Sequence, residues 1–192
     1  TLKAGLDAPD AVVGNSNGDA KAAIASAARK VEAVYSYPYQ NHATMEPMNA
    51  TAKFTPAADG KLARCEVWAP TQNGEAAFAA TVEASGLPAA QCEVYKMLLG
   101  GGFGRRGMTD YVRQAVALAK EMPGTPIKLL WSREEDMAQG RYHPVMQCKL
   151  VGALDKDNNL TGLHMRLSGQ SILASVRPAI VEQQKGRDPL SF

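Results

Sequence analysis

Gly100-Gly101-Gly102-Phe103-Gly104-Arg105-Arg106-Gly107 is the segment whose residue types and spacing suit chemistry. Three consecutive glycines leave backbone N–H groups bare of side chains, so a ligand can approach the main chain closely. A helical pattern follows from Thr109, and a helix N-terminus adds free N–H groups and partial positive charge. Arg105 and Arg106 add fixed charge with planar donor forks suited to phosphate. Composition and placement both describe an anion-cradling loop. The question is which anion.

Gly102-Phe103-Gly104-Arg105-Arg106-Gly107 also matches the G-x-G-x-x-G pattern of dinucleotide-binding domains. A strand-like run, Cys92 to Leu99, precedes it. A helix-like run, Thr109 to Met122, follows, and Ile127–Trp131 is a further apolar run. Glu134 or Glu135 stands near the distance at which that pattern places its acidic ribose partner. Three details weigh against a nicotinamide-binding domain. A helix that starts after Thr109, a good N-cap residue, leaves Gly107 ahead of the first turn. Phe103 and two arginines crowd a turn that normally hugs a pyrophosphate. One βαβ unit is legible where a doubly wound sheet needs several. An NAD(P)-binding dehydrogenase domain is therefore the alternative, beside a non-catalytic α/β binding module that keeps the loop as a structural turn.

A chain of 192 residues is long enough to bury a core as one domain. Hydrophobic content of 45% and charged content of 21% place it among ordinary globular proteins. A net charge of +2, with Arg105-Arg106 as the only local basic cluster, gives no case for nucleic acid. No run approaches the roughly 20 apolar residues that span a bilayer. Cys65, Cys92 and Cys148 are odd in number, lack C-x-x-C spacing and sit in strand-like segments, so they read as small buried hydrophobes. The three histidines show no ligand spacing either, and no protein metal ligand is expected. A first residue Thr1, without Met, reads as an excised piece of a longer protein whose targeting segment lies elsewhere.

The elements that must position the loop follow from periodicity. Residues 1 to about 17 are an irregular leading segment, and Asp19 to Lys30 is an Ala-rich helix candidate. Val31, Ala33, Tyr35 and Tyr37 alternate as a strand, followed by Asn49–Phe54, the turn Ala57-Ala58-Asp59-Gly60, and Lys61–Trp68. Asn73 caps a helix through Ala84 with Phe78 and Val82 on its buried face, and Gly86 with Pro88 stops it. After the loop, Val112, Ala115, Val116 and Ala119 hold i, i+3, i+4, i+7 spacing, and Pro123-Gly124 ends that helix. Val145–Leu154 and Leu160–Leu167 flank the polar turn 155–159 as a hairpin. The order predicts an α+β fold, a two-layer α/β sandwich with a mixed sheet and two main helices on one face. Lys61–Trp68, Cys92–Leu98, Ile127–Trp131 and Lys149–Leu154 are expected in that one sheet.

Four blocks occur in order: His42-Ala43-Thr44-Met45-Glu46-Pro47, Val67-Trp68-Ala69-Pro70-Thr71-Gln72, Gly100–Arg106, and Trp131-Ser132-Arg133-Glu134-Glu135-Asp136-Met137. Together they resemble the molybdopterin-binding large subunit of the xanthine dehydrogenase and aldehyde oxidase family, most of all its isoquinoline 1-oxidoreductase branch. The resemblance runs from about Val31 to Ile172. It implies a leading segment and helix at 1–30, a molybdopterin-binding lobe at 31–172, and a tail at 173–192 that packs on further chain.

Residue by residue, the resemblance implies that Gln72 hydrogen-bonds an oxo ligand of molybdenum. An amide N–H donor stabilises charge on such an oxygen without competing as a ligand. It implies that the main chain of Gly101, Gly102, Phe103 and Gly104 approaches the cofactor, with Phe103 on the substrate side. It places Arg105 and Arg106 within reach of cofactor phosphate, with a solvated loop as the plain alternative for each. His42 and Glu46 read as fold fingerprint, and Arg133, Glu134, Glu135 and Asp136 as a solvated charge run or helix start. Gly107 departs from the family pattern, since members that oxidise purines carry a glutamate there. An aldehyde or a less polar N-heteroaromatic is thereby easier to accommodate than xanthine.

The implied reaction is hydroxylation of a carbon with water as the oxygen source. The general base of the family lies outside this sequence. The implied cofactor is molybdopterin with molybdenum, in its cytosine dinucleotide form, held between lobes, so the isolated chain is expected to be inactive with a mobile glycine loop. The implied partners are the rest of the large subunit, a small iron–sulfur subunit carrying the Fe-S clusters, and a cytochrome c acceptor. A bacterial periplasmic or cytoplasmic location is left open.

Overall fold

A computed structural model describes residues 1–190. In chain order the elements begin with helices Leu2–Gly5 (α1) and Ala20–Ala25 (α2). Strands Arg29–Tyr37 (β1), Asn49–Thr55 (β2) and Arg64–Ala69 (β3) lead to helix Gly74–Ser85 (α3) and strand Cys92–Lys96 (β4). Helix Asp110–Glu121 (α4), strand Ile127–Leu130 (β5) and helix Arg133–Ala138 (α5) follow. Strands Met146–Leu154 (β6) and Leu160–Gly169 (β7) precede the short helices Ile172–Val176 (α6) and Pro178–Gln183 (α7). The chain divides into two compact units, Asn41–Arg141 and the pair of segments that flank it.

The unit formed by Asn41–Arg141 carries the glycine loop. Its sheet runs β4-β3-β2-β5, with β3 and β4 parallel and the other pairs antiparallel, so it is mixed. Alternation in β3 decides which face is covered. Cys65, Val67 and Ala69 are buried, while Glu66 and Trp68 lie on the other face, where Trp68 stacks on Tyr95 across the parallel pair. Helices α3 and α4 pack on each other and on the buried face, giving the expected two-layer sandwich. The stripe of α4 is Tyr111, Val112, Ala115, Val116 and Ala119, all fully buried, as its spacing predicts. In α3 the innermost residues are Ala77, Ala80, Thr81 and Ser85, with Phe78 and Val82 at the margin of the core. Small side chains at these positions, with Ala50, Ala52 and Ala69 opposite, let helices and sheet approach closely.

The ends of α3 follow the sequence. The Asn73 side chain accepts from Ala76 N at 3.0 Å, and Gly86 closes the helix at φ 73°. The turn between β2 and β3 also forms as expected, with Asp59 and Gly60 at φ 51° and 73° and Ala58 bridged to Lys61.

The other unit is built on an antiparallel sheet ordered β1-β6-β7. Lys149–Leu154 belongs here and not to the mixed sheet, which corrects the expected strand order. The nine residues of β6 pair with all nine of β1, from Arg29↔Leu154 to Tyr37↔Met146, and the place in the mixed sheet goes to β2. The hairpin turn is held by Asp155, whose carboxylate accepts from Asp157 N and Asn159 N. Helix α2 stops earlier than its composition predicts. Ser26 turns its hydroxyl back to Ala22 O, and Arg29 is already paired in β1. Near the C-terminus Leu173 is buried, and Asp188 accepts from the Ser171 hydroxyl and from Leu173 N and Leu190 N.

Candidate functional site

The loop from Lys96 to Asp110 joins β4 to α4 and begins at the level of β3, where Met97 N donates to Ala69 O. Gly101 (φ 92°), Phe103 (φ 52°) and Gly104 (φ 97°) take left-handed backbone, and Arg105–Gly107 then form a single 3₁₀ turn. Two of the glycines are required by proximity. A Cβ on Gly100 would stand 2.6 Å from Glu46 Cβ, and one on Gly102 would stand 2.5 Å from the Gln72 amide. A Cβ on Gly107 would meet nothing within 4 Å.

Gln72 follows Thr71 at the end of β3, immediately before the α3 cap. Its Oε1 accepts from Gly104 N at 3.0 Å and from Arg106 N at 3.2 Å. Two main-chain donors on one oxygen fix the orientation of the amide and leave Nε2 as its remaining donor. The turn that carries Gln72 is itself held. Thr71, fully buried, donates its hydroxyl to Arg106 O and accepts from Asn73 N, and the Gln72 N–H also goes to Arg106 O. Tyr111 donates to Pro70 O from α4, and burial raises the pKa of that phenol.

Beside this amide, the N–H groups of Gly101, Gly102 and Phe103 have no acceptor among the described residues. Phe103 is 66% exposed, its ring edge over Gly101. A phenylalanine held at positive φ costs about 1–2 kcal/mol, and a ring left in solvent recovers none of it by packing. Phe103 is therefore not a core aromatic.

The guanidiniums of Arg105 and Arg106, expected within reach of cofactor phosphate, are turned inward onto protein partners. Arg105 is buried and makes a two-pronged pair with Asp110, at 3.0 and 2.8 Å, while its guanidinium lies 5.3 Å from the Trp131 ring centre. Its Nε is buried without an acceptor, on the side where Gly140 leaves room. Arg106 is fully buried and donates to Gly101 O, Pro70 O, Glu46 O and the Glu46 carboxylate. Burial raises the Glu46 pKa, but the Gly100 N–H, the Asn49 amide, Arg106 and Lys128 together outweigh it and hold the carboxyl below its ordinary value. With the arginines taken up inside, the donors left to the loop are dipolar: three N–H groups without an acceptor among the described residues, that of Gly102 on a buried residue, and the Gln72 amide NH₂. That donor set suits electron-rich oxygens, so the residues present fit an oxygen-bearing cofactor.

The Trp131–Met137 block is more than a solvated run. Ser132 caps α5 through Glu135 N, Asp136 is buried, and Arg133 donates to Thr44 O at 2.5 Å, to Met45 O at 2.9 Å and to Asp136. The His42–Glu46 stretch that borders the glycine loop is thereby fastened to α5. The S-x-x-E spacing shows the cap in advance, but nothing local in the sequence shows where Arg133 reaches. Among the described residues no group of three or more His, Cys, Asp or Glu side chains is arranged to hold a metal ion.

The dinucleotide reading does not survive this geometry. Gly107 lies in a turn ahead of α4, and among the described residues one strand pair is parallel where a doubly wound sheet needs several. The molybdopterin cofactor-binding domain family matches the chain over residues 6–183. The chain belongs to that family, the cofactor-binding domain of the xanthine dehydrogenase and aldehyde oxidase enzymes. Isoquinoline 1-oxidoreductase subunit beta of Brevundimonas diminuta is 31% identical over 150 residues, covering 77% of this chain and 18% of that subunit. Quinoline 2-oxidoreductase of Pseudomonas putida 86 shares the fold, with TM-score 0.59 and 20% identity over 78% of this chain and 18% of that one. Aldehyde oxidoreductase of Desulfovibrio gigas does so with TM-score 0.55 and 21% identity, over 74% of this chain and 15% of that one. The chain spans less than a fifth of the length of each of these relatives.

Proposed function

We propose that Asn41–Arg141 forms one wall of the cofactor pocket of a molybdenum hydroxylase. The substrate is an aldehyde or an N-heteroaromatic, hydroxylated at carbon with water as the oxygen source. The observation that carries the reading is the Gln72 amide. Its Oε1 is taken up by Gly104 N and Arg106 N, which leaves Nε2 as a donor on the turn that meets the glycine loop, whose Gly101, Gly102 and Phe103 N–H groups also lack an acceptor among the described residues. When bound, the molybdenum cofactor supplies the redox centre at which the carbon is oxidised. The chain's own part is to bind and to orient. Three main-chain donors and Nε2 offer preorganised dipoles to cofactor oxygens, which costs no reorganisation when charge develops there. The exposed ring of Phe103 shields the approach side and offers an apolar surface to a flat or small substrate. The open space at Gly107 leaves no polar side chain to recognise a purine, in keeping with a less polar substrate.

In this reading the cofactor is the cytosine dinucleotide form. The general base and the second wall come from the rest of the large subunit, and electrons leave through an iron–sulfur subunit to an acceptor such as a cytochrome c. The test is Gln72→Ala in the intact enzyme. Loss of one well-placed donor is expected to slow turnover on the order of 100-fold, with molybdenum content retained. Undiminished turnover in a fully metallated variant removes Gln72 from the mechanism.

A further inference from the structure

Glu46 sits where the two limbs of the glycine loop meet. Its carboxylate takes three donors from three directions: Gly100 N at 2.9 Å, Asn49 Nδ2 at 3.0 Å and Arg106 Nη2 at 2.9 Å. Its main chain is engaged as well, since Glu46 N donates to Gly100 O at 3.1 Å and Glu46 O accepts from Arg106 Nη2 at 2.6 Å. Arg106 carries the connection onward, through Nε to Gly101 O at 2.7 Å and through Nη1 to Pro70 O at 3.4 Å. Its own carbonyl receives Thr71 and Gln72. One ion pair therefore links the outgoing limb at Gly100–Gly101, the returning limb at Arg106, and the strand end that carries Gln72.

We infer that Glu46 is a positioning residue of the cofactor cradle, acting through Arg106 to hold the bare N–H groups of Gly101–Phe103 and the Gln72 amide in one arrangement. The identity of the ligand rests on the proposed function, whereas the tether does not. The physical case turns on Arg106, whose side chain is fully buried. A buried guanidinium is tolerated only while paired and hydrogen-bonded. Without the Glu46 carboxylate it is driven toward water, and the Gly101 carbonyl loses its donor. Four glycines between Gly100 and Gly104 have much backbone freedom to regain, and little side-chain packing opposes them. The tether is what makes a flexible composition into a fixed loop.

Hydrogen–deuterium exchange on the 192-residue chain tests this by comparing Glu46→Ala and Glu46→Gln with the parent. In Glu46→Ala the bonded amides of Gly100, Gly104 and Arg106 are expected to exchange roughly tenfold faster or more, while β3 and α4 change by about twofold at most. Glu46→Gln keeps a neutral acceptor for Gly100 N and Arg106, and is expected to recover part of the protection. Unchanged loop exchange in Glu46→Ala overturns the inference. So does equal acceleration throughout β3 and α4, which is global destabilisation, and so does a Gln variant no better than Ala. If Glu46→Ala does not fold, Arg106→Lys replaces it. Lysine keeps a charge beside Glu46 but lacks the planar fork that serves Gly101 O, Pro70 O and Glu46 from three separate nitrogens, and unchanged loop exchange there overturns the inference equally. Molybdenum content of intact Glu46→Gln enzyme separates the two claims. A loosened loop beside full molybdenum counts against the cofactor reading and leaves the tether standing.

Discussion

Gly102 and Gln72 are in contact through a space that admits no side chain. A Cβ on Gly102 would overlap the Gln72 amide, whereas the same atom on Gly107, five residues on, would stand in the open. Gly102→Ala must push Gln72 off its two main-chain donors or bend the loop. Overpacking of this kind costs about 1–3 kcal/mol. Gly107→Ala is expected to be neutral or to stabilise by up to about 1 kcal/mol, through a less flexible unfolded chain. Urea unfolding midpoints of the two variants check the contrast, and equal effects would mean that the glycines serve composition and not contact. At this scale the sequence was informative about which residues matter and silent about how. The glycine run and Gln72 stood out from the residues alone or from the resemblance. The inward turn of Arg105 and Arg106 did not, because their partners Asp110, Glu46 and Trp131 are assembled only by the fold.

Helix α3 starts one residue after its cap Asn73, so the cap also sets where Gln72 leaves β3. Asn73→Ala removes the acceptor for Ala76 N and is expected to cost about 1 kcal/mol of stability. Chemical denaturation measures it, and a loss of a few tenths or less would show that the helix is held by its packing on α4 alone. Elements whose signal is local were legible here: the caps Asn73 and Gly86, the α4 stripe, and the turn at Asp59-Gly60. The partner of each strand was not legible. The runs 49–54, apolar in alternation, and 149–154, nearly continuously apolar, both read as short strands, and register across a sheet is decided by which neighbour matches length and face, a non-local property. Pairing of all nine residues of β6 with β1 left β2 to occupy the centre of the mixed sheet. The Ala-rich run after Asp19 illustrates the converse, where strand pairing from Arg29 overrides helix propensity.

At the scale of the molecule, four ordered blocks spread over some hundred residues are brought into one unit, three of them meeting around the glycine loop and the fourth fastening its border through Arg133. The loop expected to be mobile without its ligand is bonded by Glu46, Gln72 and Arg106 from three sides. What the loop still lacks is an acceptor for three successive N–H groups, and the central claim is that a molybdenum cofactor supplies it. The most direct measurement is hydrogen–deuterium exchange on the intact enzyme, with the cofactor bound and after its removal. The account predicts that the amides of Gly101, Gly102 and Phe103 exchange markedly more slowly in the loaded form, while β3 and β4 are unaltered. Identical exchange at these three residues in both forms, with molybdenum stoichiometric in the loaded one, would contradict it.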